Sequence, residues 1–465
     1  MSWSKVRAKV ANRQKVSSEA DENRRFGGSL SYAWRALRHR NFKLFFAGQG
    51  ISLIGTWMTR LATAWLVYQL THSALMLGVV SFSGQIVSFV LGPFAGVWVE
   101  RLNRRRLLVG TQSAAALQSL TLAALTLSHY ITLGDIIALS FFQGVINALD
   151  MPGRQSFLIR MVEDRRDLGN AIALNSSMVN AARLIGPAIA GVIVASIGEG
   201  WCFLIDGISY FAVIASLLLM HIRAETVTRK AGDMFEQIRE GWEYVRTFRP
   251  IRSILALLTI LSLMGYSYNV LLPIFAGRVL GGGATTLGWL TGAAGCGALV
   301  SAISLALRKS VAGLVNMLQV AAAVLGGALI LLGFSHTLWL SLPLMVFIGF
   351  GFIQAAAISN TVIQTLVAED KRARVMSYYM MAFFGAAPLG SLLAGFLAHE
   401  IGAPATVVIA GTFCVAGSLW FTFELPKIKA VMGQVYQAAG LLPSRQKEPV
   451  SRPCNAGKKS AIYST

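Results

Sequence analysis

Apolar residues in this chain come in long unbroken blocks separated by short polar breaks, not at the three-to-four-residue spacing of a half-buried helix. A block of roughly 20 apolar residues is what an α-helix needs to cross the hydrocarbon core of a bilayer. Twelve such blocks can be read: 42–69, 75–99, 107–129, 133–156, 170–197, 201–222, 253–278, 284–307, 311–334, 338–364, 375–398 and 404–424. They predict an all-α polytopic membrane protein of twelve transmembrane helices. Several blocks contain Gly or Pro, which a helix inside a bundle tolerates because its neighbours satisfy the loosened backbone groups.

The breaks divide into two kinds. Alternate ones are short and free of Lys and Arg, such as QLTHSA, SIGEG and FSHT; the others are basic. Only Arg60, Arg183 and Arg278 of the 41 Lys and Arg lie outside the first block's approach, the even-numbered breaks and the tail. Positive residues mark the cytoplasmic side of short loops. The pattern therefore predicts both termini on the cytoplasmic side. Composition agrees: the chain is 55% hydrophobic and 13% charged, with mean hydropathy +0.59, where soluble proteins carry about 25% charged residues. The net charge of +20 would suit nucleic acid, but positives sorted by membrane side with little aromatic interleaving speak against it. Four cysteines show neither a disulfide framework nor metal-ligand spacing. No cofactor is expected, and no phosphate-cradling loop or nucleophile–base set argues for an enzyme.

The blocks also repeat. Ser52–Gly55 reads SLIG and Ser262–Gly265 reads SLMG; Met161–Arg166 reads MVEDRR and Val367–Arg372 reads VAEDKR; Leu184–Gly198 pairs with Pro388–Gly402. The matches keep their order and nearly one offset. The expected organisation is a basic arm 1–41, a six-helix bundle 42–222, a charged linker 223–252, a second six-helix bundle 253–424 in the same orientation, and a flexible cytoplasmic tail 425–465.

Parallel repeats of six helices resemble the major facilitator transporters. The stretch GVWVERLNRRR at 96–106 resembles that family's signature between its second and third spans, with Gly96 the glycine, Glu100 the acid, Arg101 the base and Arg104, Arg105 and Arg106 the basic run. The acid is usually Asp, and Asn103 stands where a second glycine is usual. The resemblance implies a gate latch between the halves, with Arg374 as partner; the cluster could equally do no more than set topology. ARLIGPAIAG at 182–191 is similar to the family's antiporter motif through Gly186, Pro187 and Gly191, with Ala190 in place of one glycine; the residues alone read equally as small-residue packing. Gln143-Gly144 matches a proton-linked motif whose arginine is here Ser140. Arg40–Thr71, DMPGRQ at 150–155 and residues 374–395 resemble the enterobactin-exporter-like branch of drug and siderophore exporters.

Charges within membrane helices need partners or a watery cavity. Asp150 and Arg154, four apart, share a helix face and form either a proton-exchanging pair or a fixed ion pair beside Pro152. Arg60 and Arg183 are the other coupling candidates, Arg60 also as an attractor of anionic substrate and Arg183 as a partner for Asp150 or Asp206. Asp206 reads as structural. Gln49, Asn147, Tyr266, Asn269, Gln354 and Asn360 are cavity candidates, each equally readable as an interhelical hydrogen-bonding group. The expectation is a monomeric secondary exporter of a small amphiphilic molecule, a drug or siderophore-like metabolite, working by alternating access with protons as coupling ion. A lysophospholipid flippase or importer of the same fold, and a non-transporting receptor or assembly factor, remain open.

Overall fold

The computed structural model describes residues 35–162, 164–221, 234–308, 313–367 and 371–438. Most of the arm, residues 222–233 of the linker and the tail beyond 438 lie outside them. The first six membrane helices are α1 (Arg40–Thr71), α2 (Ala74–Arg101), α3 (Arg104–Leu127), α4 (Leu133–Met161), α5 (Leu168–Ile197) and α6 (Glu199–Leu219). A linker helix, Met234–Thr247, leads to α7 (Arg249–Val279). Then follow α8 (Ala284–Ala306), α9 (Leu314–Gly333) and α10 (Leu338–Leu366). Last are α11, built from Arg372–Met380, Met381–Gly385 and Ala386–Ile401, and α12 (Ala403–Ala438).

Among the described residues, eleven helices are long and apolar enough to cross a membrane. The remaining helix, α1, is 32 residues long and falls short only in apolarity, through Gln49, Thr56, Thr59 and Arg60. Gln49 is buried, and Thr56 and Thr59 bond Tyr210 and Asp206 of α6, which lets most of the polar groups of this span sit in a bilayer.

Local chemistry sets the helix ends. Ser73 caps α2 by accepting from the Met76 N–H, and Asn103 caps α3 by accepting from the Arg105 and Arg106 N–H groups. Thr132 and Asp135 form a reciprocal capping box at the start of α4. The turns α5–α6 and α11–α12 are made by Gly198 at φ +94° and Gly402 at φ +88°, a backbone region that favours glycine. These two glycines close the matched segments of the two repeats.

Packing repeats as well. In the first half α3 lies along α6 and α2 along α4; in the second, α9 lies along α12 and α8 along α10. The halves meet through two equivalent pairs, α5 with α8 and α2 with α11. At both seams glycines bring backbones into contact. A Cβ on Gly191 would lie 3.0 Å from the Gly288 Cα, and one on Gly395 would lie 2.9 Å from the Gly78 Cα. Both seams close the end of the bundle away from the linker helix, here called the far end. The Thr285 hydroxyl adds a bond to the Gly191 carbonyl there, at 3.4 Å.

One boundary is corrected and two features are added to the sequence reading. The tail does not begin at 425: α12 runs on through Pro426 to Ala438, because Leu425, Ile428 and Met432 continue its buried stripe. The linker contains a helix of its own. Span 7 is not one continuous helix. After Ile260 it passes through a π turn, Leu261–Gly265, breaks at Tyr266–Ser267, and resumes at Tyr268. Another π turn, Phe275–Val279, ends α7, and a third, Met381–Gly385, interrupts α11. The Ser262 hydroxyl donates to the Phe383 carbonyl at 2.5 Å, so the first and third turns are bonded to each other. Such turns recur where a helix must present side chains that regular geometry would turn away.

Candidate functional site

The site is built around a residue that the sequence reading passed over. Trp57, on α1, carries two guanidinium groups on its ring. Arg60 Cζ lies 4.7 Å from the ring centroid and Arg183 Cζ 5.0 Å, both at cation–π range. Arg60 is one helical turn from Trp57, whereas Arg183 comes from α5. Gly186 lets α5 approach closely enough: a Cβ there would lie 2.6 Å from Trp57 Cβ and 2.9 Å from the Ile54 carbonyl oxygen. The glycine of the 182–191 motif is thus the seat of the tryptophan, and Gly191, further along α5, forms the seam with α8. Pro187 is buried inside α5. The i, i+3 pair Trp57–Arg60 was the one signal in the sequence for this arrangement.

Arg183 meets neither Asp150 nor Asp206. Among the described residues neither Arg60 nor Arg183 has a hydrogen bond or ion pair, and Arg183 Nε is buried without a partner. The groups acting electrostatically on Arg183 are Tyr266 and Tyr268 of α7 and Arg60, which sets the cluster at the boundary between the halves.

The two buried acids within the first-half spans are engaged elsewhere. Asp150 Oδ1 accepts from Thr111 Oγ1 at 3.0 Å and Gln112 Nε2 at 2.8 Å, both on α3, while its Oδ2 pairs with Arg154 Nη2. Asp206 is 1% exposed. Its Oδ2 accepts from Thr59 at 2.9 Å and Ser119 at 2.8 Å, joining α1, α3 and α6. Its Oδ1 has no partner, and Arg60 acts on it only beyond bonding range.

The second half presents aromatic rings. Tyr266, at the α7 break, stacks on Phe352 of α10 at 5.1 Å; Phe352 stacks on Phe383 at 5.6 Å, and Phe383 on Tyr379 at 6.1 Å. The row crosses from the α7 break to the α11 π turn. Asn269 is half-buried one turn beyond Tyr266. Gln354 is a packing group: its Oε1 accepts from Ser301 at 2.6 Å and Ser304 at 3.2 Å of α8. Asn360 accepts from Gln364 and Asn147 from Gln143, each one turn along its own helix. Gln49 is buried on α1.

At the linker end, Gly96, Glu100 and Arg101 lie in the last turns of α2, and Arg104, Arg105 and Arg106 in the first turn of α3. Arg105 Nη2 donates to the Leu218 carbonyl at 2.5 Å, which ties α3 to the end of α6. Arg374 packs against Gly241 of the linker helix, beside a pocket of about 330 Å³ that Tyr244 and Lys371 also line. Arg35 and His39, ahead of α1, pair with Asp167 at 2.8 and 3.0 Å, an anchorage the sequence reading did not anticipate.

A family model described as "transmembrane secretion effector" matches residues 31–441. The staphyloferrin A transporter of Staphylococcus aureus is 29% identical over 83% of this chain and 97% of its own length. The multidrug efflux pump Tap of Mycolicibacterium fortuitum is 27% identical over 77% of this chain and 88% of its own. Macrolide efflux protein A of Streptococcus pyogenes is 24% identical over 82% and 96%. Among solved structures, a bacterial homologue of the human lysosomal transporter Spinster, in an inward-facing and unoccupied conformation, superposes with a TM-score of 0.66 at 13% identity, over 88% of this chain and 99% of that one.

Proposed function

This chain belongs to the transmembrane secretion effector family of major facilitator transporters, and from that premise we propose that it is a secondary exporter that moves a small amphiphilic molecule out of a bacterial cell in exchange for protons. The observation that carries the reading is the two-bundle fold with its glycine seams closed at the far end. A bundle with one closed end has one of the two states that alternating access requires. The efflux pumps among its relatives support the outward direction.

In this reading the linker end is cytoplasmic, because the basic breaks collect there, and both termini are cytoplasmic in the inner membrane. The chain works as a monomer of two units, 42–222 and 253–424. Gly96, Glu100, Arg101 and the basic run 104–106 stabilise the opposite state by closing the linker end, with Arg374 on the facing half. Asp150 with Arg154 is the leading proton-coupling pair, and Tyr266 and Asn269 line the substrate path.

Purified full-length protein in vesicles, under an imposed pH gradient, tests the proposal with a panel of labelled amphiphiles. Accumulation on the far side, dependent on the gradient and accompanied by counter-movement of protons, is expected. Absence of substrate-dependent flux under any gradient would overturn it. Flux toward the linker side only would make the chain an importer or flippase. Proton movement that survives Asp150→Asn would remove that residue from the coupling role. Glu100→Gln is expected to shift the population toward the far-end-closed state, measured as cysteine alkylation from the linker side.

A further inference from the structure

Two arginines on one tryptophan, without an acid between them, are an unbalanced arrangement inside a membrane helix bundle. Unpaired charge there is costly unless it meets a counter-charge or water. The two buried acids within the first-half spans do not meet it: Asp150 is held by Thr111, Gln112 and Arg154, and Asp206 by Thr59 and Ser119. Arg183 Nε is buried and unsatisfied. Across the halves, Tyr266 and Tyr268 of α7 act electrostatically on Arg183, and a phenol hydroxyl donates hydrogen bonds to an anion readily. From Tyr266 the aromatic row leads through Phe352 and Phe383.

We propose that Arg60, Arg183 and the indole of Trp57 bind the anionic head of the substrate, and that the row beginning at Tyr266 binds its aromatic or apolar body. The substrate class is an amphiphilic carboxylate or similar oxyanion. A guanidinium fork matches two anionic oxygens at once, and the indole holds both forks in place before the ligand arrives. Because one guanidinium rides on α1 and the other on α5, with hydroxyls from α7 opposite, the bound anion bridges the two halves. This assignment rests on the transporter reading, but its test does not depend on transport.

The test uses two xanthene dyes of similar size and opposite charge, fluorescein and rhodamine 6G, with the full-length protein in nanodiscs and fluorescence polarisation as readout. The wild type is expected to favour fluorescein. The pair Arg60→Gln and Arg183→Gln should lower the fluorescein-to-rhodamine affinity ratio at least tenfold, and Arg60→Lys with Arg183→Lys should recover part of it. An unchanged ratio, an equal loss of both dyes from a collapsed cavity, or a wild type that does not bind fluorescein would each overturn the proposal. Vesicle flux separates the two levels. Rhodamine flux without fluorescein binding leaves an exporter with a different substrate class. Fluorescein binding that follows the arginines, without flux of any dye, keeps the site and overturns the transport reading.

Discussion

Asp150 and Asp206 are both buried carboxylates on bundle helices, yet their surroundings make opposite demands on a substitution. Asp150 is bonded by a cation and two neutral donors. Asp150→Asn removes the counter-charge of Arg154 and should destabilise the bundle by about 1–3 kcal/mol, read as a lower unfolding temperature. In a double-mutant cycle with Arg154→Gln, the paired loss should be smaller than the two single losses added together. Asp206 has two hydroxyl donors and no bonded cation. Asp206→Asn keeps an acceptor oxygen for Thr59 and Ser119 and has no charge to bury, so its effect should stay within about 1 kcal/mol by the same measurement. The spacing of Asp150 and Arg154 was legible in the sequence because both sit on one helix face. The Asp206 pocket was not, since its three walls come from α1, α3 and α6, and nothing local to position 206 announces them. Trp57 was overlooked for a related reason: an aromatic residue in an apolar block looks like packing until the second arginine, from α5, is placed beside it.

Helices were the most legible level, because a bilayer imposes one length and one polarity on each crossing. Where the structure departs, the backbone carries information that hydropathy does not. A π turn is as apolar as an α turn, so nothing in SLMG distinguished Leu261–Gly265 from the SLIG of α1, which is regular helix. The extension of α12 past Pro426 was hidden by charges on its exposed face. Gly186 is the strictest test of an element-level contact. Gly186→Ala places a methyl against the Ile54 carbonyl and the Trp57 Cβ, both fixed to α1, so the helices must separate. A cost of about 1–3 kcal/mol is expected, together with blue- or red-shifted Trp57 emission in a background where the other tryptophans are replaced by Phe.

For the molecule as a whole, the two glycine seams bias the conformational equilibrium. They hold the far end shut through backbone contact, which has no slack for a larger side chain. Gly288→Val with Gly395→Val should wedge both seams and populate the far-end-open state. Spin labels at positions 72 and 281, in a background without the native cysteines, should report this as a longer distance distribution; an unchanged distribution would mean that the seams follow the state and do not set it. The repeat was readable from three weak sequence matches because their order is global information, whereas the state of the bundle was not, since one sequence must encode both. The bonded π turns of α7 and α11 have a consequence for how such a cavity can change over generations. Each turn holds surplus chain. Removing one residue from 261–265 would let the turn relax toward ordinary helix, keeping its hydrogen-bond ladder; because the wider π turn absorbs about one extra residue, Tyr266 and Asn269 beyond it would keep their facing while the side chains of the turn itself are re-aimed. Insertion and deletion at this turn, not point substitution, is the shortest path by which a descendant of this chain would acquire a differently lined cavity.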